Sequence, residues 1–262
     1  MQRLFMHNLL QLGILLAGVA AIAVLLHMVE KASSRVVAHH FGWRGVLVTG
    51  WLGVPLHELA HLVAAKLFGH RIVGVAFFDP DPSTGTLGYV RHAHSKRTAW
   101  QLVGNAVIGI APLIAGALAI AALLAWMVGP DELGRLLTPP QRTLRDVADL
   151  RLVARDAVAM AWRLLQAIWK HRTWWLPLQI YMGICVASHC TPSDVDMEGS
   201  WAGGLVVGAA ALAGIALAAA LGVRAAAPTG VLVLMTVIAV MTSAFQGLWA
   251  AIAATSQQLE TR

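Results

Sequence analysis

Between Leu9 and Met28 the chain presents twenty residues without an Asp, Glu, Lys or Arg, and five further apolar runs follow. A helix of about twenty such residues spans the ~30 Å hydrocarbon core of a bilayer. Inside that core only helices and closed barrels satisfy their own backbone hydrogen bonds. The pattern therefore predicts a polytopic α-helical membrane protein with about six transmembrane segments. They fall roughly at 5–28, 43–68, 99–127, 174–190, 201–223 and 230–254. Arg3 and the small residues Ala20 to Ala23 resemble a signal peptide. The apolar run exceeds the usual 7–15-residue signal core, however, so 5–28 reads as an uncleaved anchor helix.

Composition agrees. Of 262 residues, 58% are hydrophobic and only 12% charged, against about a quarter charged in soluble domains. Mean hydropathy is +0.69. The expectation is one membrane domain over 1–262, multi-pass, with the lipid bilayer as its first partner. A net charge of +6 raises nucleic acid as a ligand. Basic residues in membrane proteins instead meet lipid headgroups or set topology, and no basic–aromatic pattern accompanies them here, so no nucleic-acid partner is expected. Cys185 and Cys190 lie five apart in one predicted helix, on opposite faces, which predicts free thiols. Trp43, Trp100, Trp126, Trp174, Trp175 and Trp201 fall at predicted span ends, as an interfacial belt requires.

Two stretches break the apolar pattern. Residues 70–95 combine β-branched and aromatic runs around Asp79-Pro-Asp-Pro-Ser-Thr-Gly85, predicting a small β-hairpin between segments two and three. Its free edge could take a substrate strand or simply be wetted at the interface. Residues 130–172 are polar, with Leu144, Val147, Leu150, Val153, Ala157, Met160, Leu164 and Ile168 at spacings of three and four. That is an amphipathic helix for the membrane surface or the bundle, separated from segment three by Pro139-Pro140. Its Arg142, Arg145, Arg151 and Arg155 read as a solvated or lipid-facing charged face. The helices of 201–254 are rich in small residues and read as packing helices.

Segment two carries His57-Glu58-Leu59-Ala60-His61. Residues four apart on a helix share a face, so two imidazoles can reach one ion. Zinc accepts such a pair, and the glutamate between them can take a proton from an activated water. Polar residues at membrane depth cost a few kcal/mol unless they face a protein cavity. The competing reading is a pair of satisfied core histidines. Gly53 and Pro55, one turn earlier, would kink the helix or admit a neighbour.

A zinc site needs a third protein ligand and an open position. Segment two descends, three returns and four descends again, so the ends of two and four share a side. Asp194 and Asp196 lie just beyond segment four, at the level of the histidines, and either could serve. His189 and Cys190 are chemically allowed substitutes. His39, His40, His92 and His94 read as interfacial residues, with a metal or gating role as the alternative, and Lys66 as a snorkelling one.

The HExxH in a membrane helix is followed by a hairpin, a helix bearing Gly104-Asn105 and Pro112, and a broken helix ending in aspartates. This resembles the site-2 protease family of intramembrane zinc metalloproteases, over about residues 43–200. That family's second motif is typically Asp-Gly. Here Pro192-Ser-Asp-Val-Asp-Met-Glu-Gly199 contains no aspartate directly before glycine. Asp196 is favoured over Asp194, because Pro-Ser-x-x-Asp-x-x-Gly looks like a variant of the motif.

The resemblance implies a metalloprotease core at 43–200 with one zinc per chain, held by His57, His61 and Asp196. Glu58 would be the general base, and Asn105 would hydrogen-bond the substrate backbone or the developing oxyanion. A helix–helix hydrogen bond is the other reading of Asn105. The implied activity is zinc-dependent endoproteolysis of membrane-anchored protein substrates, helped by an adaptor or a prior cut, with the site toward the cytosolic face. Two alternatives stay open: a non-proteolytic membrane scaffold of the same fold, or an ion transporter using intramembrane His and Asp.

Overall fold

The structure, a computed structural model, describes residues 2–95, 98–139, 146–191, 196, 201–224 and 229–260. Its elements are α1 (Gln2–Leu67), β1 (Arg71–Ala76), β2 (Tyr89–Ala93), α2 (Ala99–Val128), α3 (Pro130–Leu136), a 3-10 turn (Val147–Asp149), α4 (Leu150–Lys170), α5 (Leu176–His189), α6 (Trp201–Ala220) and α7 (Thr229–Glu260). Four helices, α1, α2, α6 and α7, are long and apolar enough to cross a membrane. With one antiparallel hairpin among the described residues, this is the helical, membrane-type architecture that the apolar runs demand.

Expected segments one and two fall in a single helical stretch of 66 residues, made of two helices that meet at a kink. The polar stretch Glu30 to His40 between the two expected segments is helical. Glu, Lys and Arg are good helix formers, and Ser34 Oγ donates to Glu30 Oε1 one turn back at 2.9 Å. The break falls at Gly42, with φ 56° and ψ −146°. That conformation is open to glycine and closed to its neighbours Phe41 and Trp43. Expected segment four shrinks to the 14 residues of α5, about 21 Å long.

The chain divides into two compact units. One holds Met1–Leu26, Leu124–Trp174 and Gly208–Met241. In it the amphipathic stretch forms α4, whose Val153, Ala157, Met160 and Leu164 are buried while Arg151 and Arg155 are exposed. Arg142, Arg145 and Leu144 lie outside the described residues. Asn8 Nδ2 donates to the Val223 carbonyl at 3.0 Å, tying the start of α1 to the end of α6.

The second unit, His27–Leu123, Trp175–Val207 and Thr242–Arg262, contains the hairpin and the described candidate residues His57, Glu58, His61, Asn105 and Asp196. Buried Gln246 on α7 joins its helices. Its carbonyl accepts from Ser33 Oγ of α1 at 2.8 Å, and its Nε2 donates to the Ala187 carbonyl of α5 at 2.7 Å. Gly53 lets α5 approach α1: a Cβ there would collide with the Cys185 carbonyl and the His189 side chain. Of the two roles expected for the Gly53–Pro55 stretch, admitting a neighbour is the one seen at Gly53. Cys185 and Cys190 are buried free thiols.

In the hairpin β1 pairs with β2 in the register Arg71↔Ala93, Ile72↔His92 and Gly74↔Arg91, with a bulge between Ile72 and Gly74. The turn is built on Asp81, whose carboxylate accepts from Ser83 N (2.8 Å), Ser83 Oγ (2.7 Å) and Thr84 Oγ1 (3.1 Å). These donors favour the charged carboxylate and hold Asp81 below the ordinary range.

Candidate metal centre

Helical periodicity brings His57 and His61 to one face of α1, with their rings edge to face at 4.7 Å. Each ring is anchored through Nδ1 to a backbone carbonyl. His57 Nδ1–H donates to the His189 carbonyl of α5 at 2.7 Å, and His61 Nδ1–H to the Ile108 carbonyl of α2 at 2.9 Å. A carbonyl can only accept, so the proton of each neutral ring sits on Nδ1 and the Nε2 lone pair is free. Orienting a ligand imidazole through its far nitrogen is the usual support of a metal-binding histidine.

The two Nε2 atoms face each other at 3.0 Å. Asp196 closes the triangle, with Oδ2 3.4 Å from His57 Nε2 and Oδ1 3.0 Å from His61 Nε2. Ligands about 2.05 Å from a tetrahedral ion lie on the order of 3.3 Å apart, close to these separations. Three acceptor atoms converging in this way repel one another unless a cation, proton or metal, lies between them. His57, His61 and Asp196 can therefore hold a metal ion geometrically. Asp194 lies outside the described residues.

The triad opens on a cavity of about 690 Å³. Glu58 lines it and is 7% exposed. Asn105, also buried, lines it from α2 and meets His94 Nε2 through its amide nitrogen at 2.8 Å. One wall is the stretch from Gly85 to His92, which includes most of β2.

Several site-shaping residues carry no sequence signal of their own. Thr49 Oγ1 lies 2.9 Å from His189 Nε2, so Thr49 steadies the residue whose carbonyl orients His57. His189, a possible substitute ligand by sequence, acts here as that support. Ser188 Oγ lines the cavity, buried and without a hydrogen-bond partner among the described residues. Cys190 packs against Gly116 of α2 and is in neither of the ligand groups. His39 and His40 form an edge-to-face ring pair at 4.9 Å. Lys66 is exposed.

A second group of possible ligands stands at the hairpin base: His70, His92 and His94. Burial, foremost, holds His70 and His92 below the ordinary imidazole range, and the neighbouring histidines add to it. No protein-family model, curated protein or solved structure matches this chain, so its assignment rests on the geometry of these residues.

Proposed function

We propose that the protein is an intramembrane zinc-dependent endopeptidase acting on membrane-anchored protein substrates, as the resemblance to site-2 proteases suggests. One observation carries the reading: two carbonyl-anchored imidazoles and a carboxylate converge beside a buried glutamate on a cavity walled by a strand. The chain would cross the membrane about six times, with α1 counted on both sides of Gly42 and α5 as the short span.

His57, His61 and Asp196 would hold the zinc, which when bound acidifies water and polarises a carbonyl. Glu58, one residue along the same helix, would accept the proton of the attacking water and pass it to the leaving amine. β2 would offer backbone groups to an extended substrate segment, which must unwind to be cut. Asn105 would donate from its amide to the substrate backbone or the developing oxyanion. The cytosolic placement of the site follows from the resemblance alone.

Zinc content of the detergent-purified chain tests the centre. His57→Ala and Asp196→Ala should each lose about one zinc per chain relative to the unsubstituted protein, and Asp194→Ala none. Equal zinc in all four proteins would sink the reading. The activity is tested by profiling new peptide N-termini in membranes of cells producing the protein or its Glu58→Gln form. New termini within membrane segments that depend on Glu58 are expected. Identical profiles would turn the assignment toward a scaffold, or toward ion flux in proteoliposomes.

A further inference from the structure

The structure places three more imidazoles together, and no part of the mechanism above uses them as a group. Gly69, at φ 71°, ends α1 in a Schellman turn. In it Gly69 N–H donates to Lys66 O at 3.0 Å and His70 N–H to Ala65 O at 2.9 Å. His70 therefore leaves the helix at the foot of β1. The register Arg71↔Ala93 and Ile72↔His92, extended by one pair, sets His70 opposite His94. Continued one residue past each strand, the alternation puts His92 and His94 on one face at the end of β2, and His70 and Ile72 on the matching face at the start of β1. Ile72 packs against Ala64, Ala65, Ile108 and Ala111, so that face turns toward α1 and α2.

We propose that His70, His92 and His94 form a second metal site, binding a divalent transition-metal ion of the zinc type through three imidazoles. One nitrogen from each ring falls within 4.8 Å of the others. The His70 and His94 rings stack at 5.1 Å, and His70 and His92 lie 5.0 Å apart. His70 repeats the anchoring of the first centre: its Nε2–H donates to the Gln101 carbonyl at 3.0 Å, leaving the Nδ1 lone pair facing His92 Nδ1 at 3.0 Å. That contact is a hydrogen bond when His92 carries its proton on Nδ1. It is a ligand pair when the proton moves to His92 Nε2, a change of tautomer that leaves the ring neutral. For His94 to ligate through Nδ1, the Asn105 amide turns so that its oxygen accepts from His94 Nε2.

Three neutral imidazoles without a carboxylate suit zinc, copper or nickel and disfavour calcium and magnesium. His92 also lines the cavity, which gives an ion a way in. The ligands come from the end of α1 and from β2, so a bound ion would clamp the strand that walls the cavity. This inference stands whether or not the first centre is catalytic.

The test uses the full chain in detergent with His57→Ala and His61→Ala, which empties the first centre. Equilibrium dialysis with Zn²⁺ should give about one ion per chain, and the melting temperature should rise with Zn²⁺. Adding His92→Asn and His94→Asn should abolish both. As a reading that needs no further substitution, Zn²⁺ should slow diethyl pyrocarbonate labelling of His70, His92 and His94 and leave that of His39 and His40 unchanged. The proposal is overturned if the His57→Ala/His61→Ala protein binds no zinc. It is equally overturned if binding survives the Asn substitutions, or if labelling of the three hairpin histidines is unaffected.

Discussion

The two histidine clusters are assembled from different secondary structures, and under the proposed function the difference would separate a centre that does chemistry from one that only holds. The first takes two ligands from consecutive turns of α1 and a carboxylate from far along the chain, beside Glu58 and an open cavity. The second takes its ligands from a helix end and alternate positions of a strand, with no carboxylate among them. Both fix a ring through a backbone carbonyl. What only the first adds is a buried acid within the cavity, the group that water activation requires.

The largest effect expected from this contrast is at Glu58. Glu58→Gln should lower hydrolysis by about 10²–10⁴-fold while zinc content at both clusters stays unchanged, measured by cleavage of a reporter in proteoliposomes beside metal analysis. Next is Gly53→Val, which drives a side chain into α5 where Cys185 and His189 stand. It should destabilise the protein by about 1–3 kcal/mol in thermal unfolding and loosen zinc at the first cluster, not at the second. Thr49→Val removes the contact to His189, along with the longer bonds of the hydroxyl to the Gly45 and Val46 carbonyls of its own helix. It should weaken zinc at the first cluster by about tenfold in competition with a chelator, and leave the hairpin cluster unaffected.

The smallest effect is at the Asp81 turn. A carboxyl held below its ordinary value stabilises its surroundings above that value, and the stabilisation is lost as pH falls through the lowered one. Amide exchange at Ser83 and Gly85 should therefore accelerate, relative to neighbouring amides, only below the ordinary carboxylate range. Asp81→Asn should remove that dependence.

Local signals in the sequence carried far. The pairing of His57 with His61 is legible because four residues span about one helical turn whatever surrounds them. The hairpin is legible because Asp79 to Gly85 is turn chemistry between two strand-like runs. The break before segment two lies at Gly42, next to its expected start at 43, because polarity does not end a helix and a glycine at positive φ can. His92 and His94 could be seen to share a strand face. The arrival of His70 beside them could not, because it depends on how α1 ends and on the register across a bulge. The Thr49–His189–His57 chain of support was equally hidden, being made by packing between α1 and α5.

The distance along the chain between His61 and Asp196 has a consequence for biogenesis. A ribosome adding roughly 5–20 residues per second needs on the order of ten seconds to make the ~135 residues between them. Through that interval the nascent chain displays two imidazoles and a glutamate without their carboxylate. The first centre would thus be complete only once the chain has been made as far as Asp196, a built-in delay between the first two ligands and the third.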